Sequence, residues 1–155
     1  MNDFSLRRGK FFKGIYAAMG SLITYIAIPL FAIFALMSLL ISSGGEDLVQ
    51  QLNLENIAMW ITILGVIIVI ISFFRGFYPK GSMSRMTFGI ISMAIVGIWL
   101  WILSKGGNIS LIGSDMSIAI NYTIIVMLLL LAIVLRGLYF VVEMRSYREE
   151  WLSNT

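Results

Sequence analysis

Two arginines hold the clearest chemical potential in this 155-residue chain. Arg75 and Arg136 each head an Arg-Gly-x-Tyr element, as "RGFY" at 75–78 and "RGLY" at 136–139. A guanidinium is a planar, permanently charged fork of donors that matches phosphate and carboxylate oxygens. At the end of an apolar helix it has two uses. Its stem can lie in apolar surroundings while its head snorkels to lipid phosphates, or the head can hold a lipid headgroup or another anionic ligand. Tyr78 and Tyr139 suit anchoring at a membrane–water interface, and the intervening glycines give room for close helix contact.

Little else in the chain can do chemistry. Histidine and cysteine are absent, which removes the usual ligands of haem, iron–sulfur clusters and structural zinc, and with them disulfides and thiol relays. No cofactor is expected. "GGNISLIG" (106–113) lacks both the lysine and the spacing of a phosphate loop, and no nucleophile elbow is present. Glu46, Asp47 and Glu55 could form a weak cation site, but a solvated acidic loop accounts for them better. An enzyme would have to work with Ser, Thr, Tyr and Arg alone, so none is expected. Asn108-Ile-Ser110 matches the acceptor pattern for N-glycosylation, a short pattern that also arises by chance.

The elements that must carry these residues are set by composition. The chain is 59% hydrophobic and 12% charged, with a mean hydropathy of +0.95, far from the averages of soluble domains. Four apolar stretches separate, at 14–42, 57–74, 86–104 and 117–135. Each is long enough as a helix to cross a hydrocarbon layer about 30 Å thick. Strands of a barrel would alternate polar and apolar residues, whereas "LGVIIVIISFF" and "IIVMLLLLAIVL" are apolar on every side. The expected fold is therefore an all-α integral membrane protein of four transmembrane helices, one membrane domain over 1–155. Arg7, Arg8, Lys10 and Lys13 precede the first stretch, but its length exceeds a signal-peptide core, so it is expected to stay attached. Pro29 should kink it.

Charge predicts the orientation. Ten of the eleven basic residues fall at the N-terminus, between the second and third stretches, or at and beyond Arg136; Lys105 alone lies in the other two loops. The positive-inside rule then places both termini in the cytoplasm, and the protein in a cell membrane as a multi-pass chain. Topology and anionic lipid account for the net charge of +3 without a nucleic-acid partner. Trp60, Trp99 and Trp101 fall near the predicted outer helix ends and Tyr78 and Tyr139 near the inner ends, as aromatic belts do.

The chain also resembles itself. Shifted by 61 residues, 56–78 lies on 117–139 with identities that include Thr62/Thr123, Arg75/Arg136, Gly76/Gly137 and Tyr78/Tyr139. This predicts two tandem two-helix repeats, 8–74 and 75–140, followed by a cytoplasmic tail at 141–155. A unit with an even number of crossings keeps its orientation, so the repeats would be parallel, related by a pseudo-twofold axis along the membrane normal.

Functional expectations follow from what lies inside the helices. No carboxylate falls mid-span, which argues against proton-coupled export. Thr62, Asn121 and Thr123 are candidate intramembrane polar contacts, and Gly89 and Gly97 with Met93 form a small-residue packing face. Past the last span, "LYFVVEMRSYREEW" is expected to continue as helix, pairing Arg145 with Glu149. The expected function is that of a non-enzymatic subunit or scaffold packing against itself, as a homo-oligomer, or against other membrane proteins, in contact with membrane lipids. The alternative is a small channel or carrier for ions or small solutes, lined by the repeats or by a homo-oligomer.

Overall fold

The computed structural model describes Phe4 and residues 9–112 and 117–153. Four helices in it are long and apolar enough to cross a membrane: α1 (Phe11–Ser42), α3 (Leu54–Phe77), α4 (Met83–Leu103) and α5 (Thr123–Ser146). Two short helices, α2 (Glu46–Leu52) and α6 (Arg148–Ser153), accompany them. Beyond the first half of α1, the long helices are apolar around their whole circumference, so hydropathy alone does not say which face turns inward.

Their ends have local causes. Gly44, at φ +79°, stops α1, and the Gly45 N–H returns to the Leu40 carbonyl. Pro79 lies just beyond α3, while Ser82 starts α4 by accepting from the Arg85 N–H at 3.3 Å. Within α1 the irregularity falls one turn before Pro29. Ile23–Ala27 form a π turn in which the Ile28 N–H donates to the Ile23 carbonyl, five residues back. Pro29 has no N–H to offer the Tyr25 carbonyl, which faces Gly65 of α3 at a point where a Cβ would stand 3.2 Å away. The half of α1 before this turn lies along α3, and the half after it departs, leaving Ile33 as its sole buried residue.

The helices form an open row. α1 packs on α3, α3 on α4, and α4 on α5. The core lies along α3 and α4, where Ile61, Ile68, Met93 and Val96 are buried. Gly76 lets α1 approach closely, since a Cβ there would meet the Lys13 carbonyl at 2.6 Å. Among the described residues α1 and α5 make no extended contact. The row does not by itself show the pseudo-twofold relation that the sequence repeat predicts.

Two further expectations change. The fourth apolar stretch is not wholly helical: β1 (Asn108–Ile112) and β2 (Ser117–Asn121) form an antiparallel hairpin, pairing Ile109 with Ile120 and Ser110 with Ala119. β2 alternates polar or small residues with isoleucine, and β1 begins with the same alternation in Asn108-Ile109-Ser110, the period of a strand. The 61-residue shift therefore lays helix on strand over its first positions. At the other end the helix continues past 141, α5 running to Ser146, but it breaks at Tyr147, so Arg145 and Glu149 share no continuous helix.

Candidate functional site

The end of the row at which α3 finishes and α4 begins concentrates the charged side chains. The Lys10 N–H donates to the Phe77 carbonyl at 2.9 Å, which brings the start of α1 to this end. Arg148 of α6 donates to the Gly81 carbonyl at 3.3 Å, and Trp151 is buried below it. Lys105 lies at the opposite end, beside the Gln51 carbonyl.

At the centre stands Glu143, 5% exposed. Arg85 donates to both of its oxygens, Nε to Oε2 at 2.9 Å and a terminal nitrogen to Oε1 at 3.3 Å. Lys80 stands 3.8 Å from the same carboxylate and 4.9 Å from the centre of the Tyr147 ring. Arg85 also donates to the Arg75 carbonyl, so one side chain ties α3, α4 and α5 together. A paired carboxylate can be buried this far because the guanidinium fork replaces the lost water on both oxygens.

The two Arg-Gly-x-Tyr elements occupy different environments. Arg75, in the last turn of α3, lies 5.8 Å from the centre of the Phe140 ring of α5 and close enough to Arg136 for their like charges to interact. Arg136 is exposed and well inside α5. Tyr78 is buried, its ring stacked parallel on Phe88 and its hydroxyl donating to the Phe4 carbonyl at 3.2 Å. Tyr139 faces outward at 56% exposure. Tyr78 therefore holds the fold together, whereas Tyr139 keeps the outward position expected of an anchor.

The candidate polar contacts are not brought together. Thr62 donates to the Ala58 carbonyl of its own helix at 2.9 Å. Asn121 stands exposed at the end of β2, where its side-chain oxygen accepts from the Thr123 N–H at 3.1 Å and opens α5. It lies one residue before the N-cap Tyr122, so its side chain bonds at the junction of hairpin and helix. Thr123 turns its hydroxyl to the Gly106 carbonyl at 3.4 Å. Ser72 on α3 and Ser92 on α4, both fully buried, have no hydrogen-bond partner among the described residues. Trp99 is buried edge-on against Tyr25 (5.5 Å, 87°), not placed in a belt, while Trp60 and Trp101 are outward.

The two packing glycines also differ. A Cβ on Gly89 would lie 2.5 Å from the Phe140 ring, so α4 and α5 need this glycine to meet. Gly97 instead lies in an apolar groove of about 530 Å³ between α4 and α5, together with Gly137, Met93, Leu130 and Val134.

Glu143 and Arg85 escaped sequence reasoning. The available signal was a lone acid ending an apolar helix on the same side as a lone base beginning another, but 58 residues separate them. No family model, curated protein or solved structure matches the chain.

Proposed function

We propose that this chain is a multi-pass membrane protein with both termini cytoplasmic, which acts without catalysis as a subunit or scaffold by packing laterally against a second copy or a partner's helices. The membrane reading is supported by outward residues such as Phe31, Ile124, Leu128 and Val142, each at least 60% exposed, an apolar surface that water would not tolerate over four helices. The gathering of basic residues at one end of the row supports the orientation.

The observation that carries the lateral reading is the open row itself. Among the described residues α4 is the one long helix on which α5 packs extensively, and beside that contact lies the groove of Gly97 and Gly137. Within lipid, helix association depends on close packing, for which small residues beside an unfilled groove are suited. The channel or carrier reading has less behind it, because Thr62 is satisfied within its own helix.

Extraction from the native membrane in mild detergent, followed by the mass and composition of the particle, tests the proposal. A particle larger than one 17.4 kDa chain, reduced to a monomer by Gly97→Leu, is expected. A lone monomer from native membranes would end the reading, and solute flux through liposomes holding the protein alone would favour the channel.

A further inference from the structure

The charged end of the row also contains a pocket of about 600 Å³, within the usual range of small-ligand sites. It lies between the start of α1, the α3–α4 turn and α6. Four bases line it, Lys10, Lys13, Lys80 and Arg85, with Glu150 as the single acid. Arg85 is occupied by Glu143, and Lys80 is shared between that carboxylate and the Tyr147 ring. Lys10 and Lys13 are exposed and have no acidic partner among the described residues. Two uncommitted ammonium groups therefore face a concave site whose other walls include Tyr147 and Trp151.

We infer that this pocket binds a phosphate-bearing anion, with Lys10 and Lys13 as its principal contacts. Lysine donates to phosphate oxygens as a compact point charge from a flexible stem, so it can adapt to an unfixed headgroup. Phe11 and Phe12, 59% and 75% exposed, stand beside the two lysines. An anion held here therefore has apolar surface next to it on which acyl chains can lie. That neighbourhood makes an anionic phospholipid the expected source. The pocket and its charges stand independently of lateral assembly; only the lipid source rests on the membrane reading.

Native mass spectrometry of the full chain in mild detergent tests this with phosphatidylglycerol, phosphatidylcholine and inorganic phosphate as separate probes. Phosphatidylglycerol should be retained at least tenfold better than phosphatidylcholine. Lys10→Gln and Lys13→Gln should each lower its retention several-fold, and together abolish the preference. Arg145→Gln, an exposed base at the same end but outside the pocket, should leave it intact. Both lysines are exposed, so thermal unfolding of the double variant should match the wild-type chain. Lysine-dependent binding of inorganic phosphate without lipid retention would assign the pocket to a soluble phosphate compound. Equal retention of both lipids with no phosphate binding, or equal losses in Arg145→Gln and the lysine variants, would overturn the site. The particle mass that tests lateral assembly is a separate readout and can fail independently.

Discussion

Arg85 holds Glu143 by both carboxylate oxygens, at 2.9 and 3.3 Å, across the contact between α4 and α5. Glu143 is almost wholly buried, and Arg85 is largely so. Removing one member strands the other in poorly solvated surroundings, which costs about 3 kcal/mol, whereas removing both removes the unpaired charge as well. Glu143→Leu and Arg85→Leu should each lower the thermal unfolding temperature in detergent clearly, and the double variant should recover much of the loss. Strictly additive losses would show that the pair is not coupled.

Gly89 and Gly97 have the same spacing signal and opposite structural roles. A Cβ at Gly89 would meet the Phe140 ring at 2.5 Å, while one at Gly97 would have its nearest neighbour, Leu130, at an ordinary 3.7 Å. Overpacking of a close contact costs about 1–3 kcal/mol. Gly89→Ala should therefore destabilise by that amount, and Gly97→Ala should be near neutral in the same unfolding assay. Equal effects would remove the distinction between an internal packing face and an open groove.

The same pair shows where the sequence is legible. Four long helices can be read directly, because an uninterrupted apolar run has few other structures open to it. Their order in space cannot, since α3 and α5 are apolar on every side and present no stripe to orient them. The hairpin was hidden for a related reason. "SIAIN" alternates like a strand, but its isoleucines run into an apolar helix after only Asn121-Tyr122-Thr123, so hydropathy alone reads 117–135 as one span. Tyr78 and Tyr139 are identical in motif, and it is the fold that packs the first against Phe4, Phe77 and Phe88. The Arg85–Glu143 pair needed the fold to bring two distant helix ends together.

Orientation can be measured directly because the chain contains no cysteine. Gln50 and Glu149 are exposed at opposite ends of the row. Single Gln50→Cys and Glu149→Cys variants, treated in intact cells with a membrane-impermeant maleimide, should differ. The first should label at once and the second only after permeabilisation. The reverse pattern would place the basic end outside, against the charge distribution that motivates the topology.

The π turn of α1 offers a test of how the row acquires its open edge. Pro29 removes the N–H that an α-helix would give to the Tyr25 carbonyl, and the chain accommodates this by pairing Ile28 with Ile23 instead. An alanine at 29 restores the donor and allows ordinary α-helical pairing through Tyr25. Loss of the π turn takes one residue out of the wider turn, so everything beyond Ile28 rotates by about 100° relative to the first half of the helix. Leu39 and Met59 are exposed, on α1 beyond the turn and on α3 respectively. Spin labels at Leu39→Cys and Met59→Cys should therefore report a shifted distance distribution when Pro29→Ala is added. An unchanged distribution would mean that the packing of Tyr25 on Trp99 and of Ile26 against Gly65, rather than the missing N–H, holds the turn in place.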